Sequence, residues 1–438
     1  MRFRSILGKS PSVGFREALF RGLSPDGSLY IPESIPLLNA QPADHGVTHR
    51  FPDMASEVLS AFIDDMPTEK IQNIAEGAFN FPIPLVKLEH NLFLLELFHG
   101  PTLAFKDIGA RFMARALSYF LEREEQALTI AVATSGDTGS AVAHGFFNVP
   151  NISVFVFYPS GKISRLQEQQ MTTLGGNIHA VEVEGTFDDC QHLVKRALAD
   201  KDLVLARNLT TANSINLGRL LPQVTYYFWA THLLQQALGS TGQTNTRCVV
   251  TVPSGNFGNL TASVYSKRMG APITRLISAS NANEVVPEYF KTGIFRPRPS
   301  LQTFSNAMDV GNPSNFARLQ ALYGDNLHEI RQEIAAVSVT DGGTLDEMRR
   351  TYDQSGTVLD PHTAVGVAAS RKSQPSGSLS EPTVVVATAH PAKFPDVVTR
   401  ALNITVPLPC QLEDALRRPK HSIQISADYM RVRELLLS

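Results

Sequence analysis

Five short apolar runs constrain this chain more than any other feature: Leu128–Ala133, Ile152–Tyr158, Cys248–Val252, Arg275–Ala279 and Thr383–Ala387. They are rich in Val and Ile, and Gly, Ser, Pro or Asn bounds each one. Their apolarity is continuous rather than alternating, which suits strands buried on both faces and therefore a parallel sheet covered by helices. Helix-length stretches lie between them. Ile108, Phe112, Ala116 and Phe120 recur every four residues as one apolar stripe, and Leu260–Met269 and Ala364–Ser370 read similarly. Strands alternating with helices predict an α/β fold.

At 438 residues, two or three domains are expected from roughly 150 residues per domain. Charged residues are 18% of the chain, against about 25% in a typical soluble protein, so much of it must be interior. Polar stretches at Leu238–Arg247 and Arg371–Pro382 read as surface connections, and Ser24-Pro25-Asp26-Gly27 as a turn. The expected division is residues 1–90, a smaller α/β lobe at 91–237 and a larger one at 247–438. The net charge of −2 offers no field for nucleic acid or anionic lipid. Cys190, Cys248 and Cys410 are too few and too dispersed for a disulfide framework or zinc cage. No apolar run approaches the roughly 18 residues of a membrane span. The basic start, Met1–Ser5, is followed by no signal-peptide core. A cytoplasmic protein with no membrane or nucleic-acid partner is expected.

Five segments carry chemistry. In Leu103-Ala104-Phe105-Lys106, an apolar setting and a helix start both disfavour the ammonium, as a lysine attacking an aldehyde requires. The same text also suits a lysine whose head snorkels to water. Thr134-Ser135-Gly136-Asp137-Thr138 follows a strand and opens a helix, offering backbone N–H groups to an anion. Asp137 could instead simply cap the helix. Ser254-Gly255-Asn256-Phe257-Gly258-Asn259 is a glycine-rich strand-to-helix turn able to wrap a phosphate, although it matches neither the dinucleotide nor the Walker spacing. Asn213-Ser214-Ile215-Asn216-Leu217-Gly218-Arg219 could gather a second anion, or be a capped helix with a surface arginine. Thr388 stands at a strand's carboxyl end, where ligands collect in α/β sheets, and Lys393 five residues on is the weaker candidate for a reactive lysine. The histidines never form H-E-x-x-H, so no metal is expected, and no nucleophile elbow is present. A phosphorylated aldehyde cofactor, pyridoxal phosphate, fits this set best.

These segments, with Gly22–Gly27, Leu29–Pro32, Gly161–Met171, Ser305–Asp309, Asn315-Phe316 and Asp360–Gly366, form an ordered series. The series resembles the threonine synthases, a family of fold type II pyridoxal-phosphate enzymes. The resemblance implies two open, twisted, mostly parallel sheets flanked by helices, and a family-specific N-terminal region. It implies that Lys106 carries the cofactor, that Ser254 through Asn259 hold its phosphate, and that Thr388 faces its pyridine nitrogen. It further implies that Thr134, Ser135, Gly136, Asp137 and Thr138 receive the substrate carboxylate, Asp137 also approaching the cofactor's 3-hydroxyl. Asn213, Ser214 and Arg219 are expected around the substrate phosphate. Many relatives carry Asn at the position of Asp137, and often Asn-Phe-Glu-Arg where this chain has Asn315-Phe316-Ala317-Arg318. The implied reaction converts O-phospho-L-homoserine and water to L-threonine and phosphate, in a monomer or homodimer. Rival readings are a phospho-lyase releasing a keto acid, a β-replacement enzyme and a non-catalytic phosphometabolite-binding protein.

Overall fold

The computed structural model describes residues 1–38, 49–122, 126–134, 136–239, 246–324, 326–373 and 379–438. Its strands are β1 (Phe3–Ser5), β2 (Tyr30–Pro32), β3 (Leu85–Glu89), β4 (Leu92–Glu96), β5 (Leu128–Ala133), β6 (Ile152–Pro159) and β7 (Ile178–Glu184). They continue as β8 (Leu209–Thr210), β9 (Cys248–Pro253), β10 (Ile273–Ser280), β11 (Ile334–Ser338), β12 (Thr383–Ala387) and β13 (Ile423–Ser426). One sheet has the order β11-β10-β9-β12-β4-β3 and is parallel except for β3, which runs antiparallel to β4. A second has the order β13-β7-β6-β5-β8 and is parallel throughout. β1 and β2 form a small antiparallel pair.

The α/β expectation holds, and all five apolar runs are strands. Every residue of β5, β9 and β12 is buried, which is why their apolarity is continuous. The four-residue stripe forms helix Lys106–Leu121, with Ile108, Phe112, Ala116 and Phe120 all buried. Its core runs from Phe3, Phe15 and Tyr30 of the N-terminal segment through Phe112 to Val132 and Val250, so one apolar cluster joins both sheets and the N-terminal segment.

Sheet membership departs from the linear division into 1–90, 91–237 and 247–438. β3 and β4 belong to the sheet of β9 and β12, whereas the C-terminal β13 returns to the sheet of β5–β7. The chain therefore passes between the sheets more than once, guided by pairing partners far away in sequence. The second surface connection also starts later than expected. Helix Pro361–Lys372 includes Arg371, which is buried and ion-paired with Glu89 and Glu347. Among the described residues, no helix is long and apolar enough to cross a membrane.

Four parallel strands end where the chemistry-bearing segments begin. β5 leads into residues 134–139, β8 into 211–219, β9 into 254–259 and β12 into 388–393. Carboxyl ends of parallel strands are where such sheets leave room for ligands.

Candidate active site

The Lys106 segment is not a strand end, so its position depends on tertiary stitching. Phe105 donates its N–H to the Thr388 carbonyl at 2.9 Å, and His390 donates to the Leu103 carbonyl at 3.1 Å. Leu103 adopts a φ of +56°, costly for a bulky side chain, in the turn that delivers the lysine. Lys106 then opens helix Lys106–Leu121 and borders a cavity of about 320 Å³. Burial pushes its ammonium down to about 8; nearby Lys393 and Arg219 push the same way, and Asp137 opposes them. An amine in that range is partly free near neutral pH.

The cavity gathers Lys106, Thr134, Asp137, Thr138, Asn213, Ser214, Arg219, Ser254 through Asn259, and Thr388. Gly136 does not line it, and Ser135 falls outside the described residues. The 254–259 turn is shaped by Phe257, whose φ of +62° caps helix Gly258–Arg268. Gly255 is required there, because a Cβ would sit 2.7 Å from the Met308 backbone. The amides of Gly255, Asn256, Phe257 and Gly258 meet no acceptor among the described residues. Tyr226 and Tyr227 both donate to Asn259 Oδ1, which fixes the side chain and leaves the buried Nδ2 without a partner. A ring of unused donors at a helix start fits a phosphate.

A second unmatched donor also lines the cavity. Arg219 is buried, its Nη1 donates to the Ala212 carbonyl at 2.6 Å, and its Nε has no partner. Desolvation pulls the guanidinium down to about 10, with Asp107 opposing. Gly109, one turn after Lys106, permits this approach: a Cβ there would meet the Arg219 carbonyl at 2.8 Å.

Other predicted residues are occupied in holding the loops. Thr134 Oγ1 accepts the N–H of Gly136 at 2.9 Å and of Gly139 at 2.8 Å. Asn213 Nδ2 donates to the Ala133 carbonyl at 3.0 Å. Ser254 Oγ donates to the Val252 carbonyl at 2.8 Å. Asn256 Nδ2 donates to Ser214 Oγ at 2.6 Å, tying the two anion loops together. Asp137 is no mere cap. Despite burial, which opposes ionisation, Lys393 and Lys106 hold its carboxyl well below the usual range. Lys393 is buried, ion-paired with Asp137 at 2.8 Å, and is not a cavity-lining residue; Lys106 is.

Several neighbours lie in segments quoted above without a role assigned to them. Gln167 donates to Asp137 Oδ1 at 3.0 Å. Arg318 is fully buried, donating to the Tyr30 carbonyl at 3.0 Å, the Ile215 carbonyl at 2.6 Å and Asn315 Oδ1. Its partners are neutral oxygens, so this arginine is held without a carboxylate at Ala317. His362 and the 298–312 segment also line the cavity. The Asp360-Pro361-His362-Thr363 run was a visible helix-start signal, but nothing in it indicated which cavity it faced.

Family models match three stretches: Threonine synthase N terminus over residues 2–79, Pyridoxal-phosphate dependent enzyme over 78–389 and Threonine synthase, C-terminal over 363–436. The chain is 40% identical to the threonine synthase of Escherichia coli K12 over 439 residues, covering 100% of both. The chain belongs to the threonine synthase family. It superposes on the E. coli threonine synthase crystal structure with a TM-score of 0.91, covering 100% of this chain and 99% of that one. It superposes equally well, at 0.91 and 36% identity, on the PLP-bound threonine synthase of Brucella melitensis, with 100% and 99% covered. As a member of the threonine synthase family it is a pyridoxal-phosphate-dependent lyase acting on a small molecule. The unpartnered donors around Asn259 and the lysine of lowered basicity fit that cofactor's phosphate and aldehyde.

Proposed function

We propose that this threonine synthase converts O-phospho-L-homoserine and water to L-threonine and inorganic phosphate. One observation carries the reading: a lysine of lowered basicity lies in the same cavity as a set of unmatched donors at residues 255–259 and a buried arginine, Arg219, with an unmatched Nε. The first suits the cofactor and the second the substrate.

Lys106 would hold the cofactor aldehyde, and the amides of residues 255–258 with Asn259 Nδ2 its phosphate. Thr388 would face the pyridine nitrogen and Asp137 the 3-hydroxyl. When bound, pyridoxal phosphate supplies an electron sink for negative charge at the substrate Cα. The rest is this chain's work. The N-terminal turn of helix Asp137–Phe146, with Thr138, orients the substrate carboxylate. Arg219 binds the substrate phosphate by the free side of its guanidinium and steadies it as it leaves Cγ. The Lys106 amine, roughly a tenth free at pH 7 for a group near 8, takes the Cα proton and returns one after water adds at Cβ. Asn213 and Ser214 keep the Arg219 loop in register with the strand end and the cofactor loop.

The setting that goes with this reading is cytoplasmic, supported by three unpaired thiols at Cys190, Cys248 and Cys410. The working unit is a monomer or homodimer. The test is incubation of the cofactor-loaded protein with O-phospho-L-homoserine, measuring phosphate and threonine together. Equal amounts are expected. Phosphate with a keto acid in place of threonine would replace the reading with that of a phospho-lyase.

A further inference from the structure

Lys393 has no part in the roles assigned above, yet it is a fully buried charged group beside the cavity. Its Nζ donates to the Thr102 carbonyl at 2.7 Å and pairs with Asp137 Oδ1 at 2.8 Å. Gln167 donates to that same oxygen, so both contacts engage one side of the carboxylate. Asp137 lines the cavity beside Lys106. The carboxylate thus stands between two lysines, one behind it and one in front.

A buried carboxylate needs a cation close by. If Lys393 were absent, Lys106 would be the nearest cation, and pairing with Asp137 would hold it as an ammonium that cannot attack an aldehyde. We propose that Lys393 is a positioning residue that neutralises Asp137 from behind, so that Lys106 stays available as a free amine. This rests on the reading that Lys106 takes the cofactor. In that step the amine nitrogen attacks the aldehyde carbon, and its two protons leave with the aldehyde oxygen as water.

The other charged groups nearby do not substitute for Lys393. Lys106 faces Asp137, Lys393 and Arg219. Lys393 faces Asp107, Asp137, His144 and His390. Burial pushes His144 down to about 4 and lowers His390, so both are uncharged near neutrality. Asp107 is engaged by the N–H and hydroxyl of Thr102. Arg219 donates Nη1 to the Ala212 carbonyl and makes no hydrogen bond or ion pair with Asp137 among the described residues.

The test follows the growth of the absorbance of lysine-bound cofactor when pyridoxal phosphate is added to the full-length apoprotein, from pH 6 to 10. Lys393→Met should move the midpoint up by roughly one pH unit or more, the usual effect of losing a nearby like charge. Lys393→Arg should keep the wild-type midpoint. Asp137→Asn should move it down, because Lys393 then faces Lys106 uncompensated. Asp137→Asn combined with Lys393→Met should return it close to wild type. Slower loading of Lys393→Met at every pH with an unmoved midpoint would overturn the proposal, since a residue that only fills space changes amount and not pH profile. If Lys393→Met fails to fold, Lys393→Gln decides, and an unmoved midpoint in that variant overturns the proposal. Borohydride capture separates the two levels of the argument. Cofactor trapped on another lysine overturns the Lys106 assignment itself. Capture on Lys106 with unmoved midpoints overturns the Lys393 role alone.

Discussion

Replacing Arg219 by methionine should affect ligand binding and stability in different ways. This guanidinium is buried, donates to the Ala212 carbonyl, has an unmatched Nε and is ion-paired with no carboxylate among the described residues. Its charge is therefore a cost to the folded state, and an apolar side chain of similar length removes it. Against that stands one lost hydrogen bond, worth about 1 kcal/mol. Stability should therefore change little, within about 1 kcal/mol either way. Binding should change greatly. Truncating one member of a buried, hydrogen-bonded charge pair costs about 2–5 kcal/mol, which corresponds to roughly 30-fold to 5,000-fold in affinity. Calorimetric titration of the cofactor-loaded Arg219→Met protein with O-phospho-L-homoserine should show that loss. Thermal unfolding and cofactor absorbance should stay near wild type. Loss of cofactor, with substrate binding intact in whatever remains loaded, would show that Arg219 serves the cofactor phosphate instead.

Other consequences follow from the same geometry. Lys106→Ala should abolish the visible absorbance of bound cofactor; an undiminished band would transfer the role to another lysine. Gly136→Ala should unfold at lower temperature, since φ is +140° and the new Cβ would lie 2.5 Å from Gln167. Removing that side chain as well, in Gly136→Ala with Gln167→Ala, should recover only part of the loss, because the backbone strain remains. Full recovery would mean that strain contributes nothing. Burial raises Asp107 to about 6, so the folded state keeps its proton over a range where the unfolded chain has lost it. Stability should then fall as pH rises from about 4 to about 6, by on the order of 2–3 kcal/mol. Asp107→Asn can keep both Thr102 contacts and should flatten that slope in denaturation measured across this pH range.

The two candidate lysines show how far local sequence reaches. Lys106 and Lys393 are both preceded by small or apolar residues, and local text favoured Lys106 only through its longer apolar run. In the fold Lys393 is fully enclosed, whereas Lys106 keeps part of its surface open. What further separates them is that Lys393 meets a carboxylate and a carbonyl, whereas Lys106 borders the cavity. Pairing of that kind depends on Asp137 and Thr102, residues about 256 and 291 positions away in sequence.

The linear text determined whatever short-range physics controls: continuous apolar runs became doubly buried strands, the four-residue stripe became a buried helix face, and the glycine-rich turn after β9 became an open amide loop. It determined the cofactor class too, because an aldehyde with a phosphate tail requires a particular set of groups that were all present. Tertiary structure alone decided which strands pair, and so sent β3, β4 and β13 to sheets that their position in the chain did not suggest. It alone decided which donors stay unmatched, such as Arg219 Nε and Asn259 Nδ2, since a hydrogen bond is satisfied or orphaned by neighbours that sequence order does not reveal.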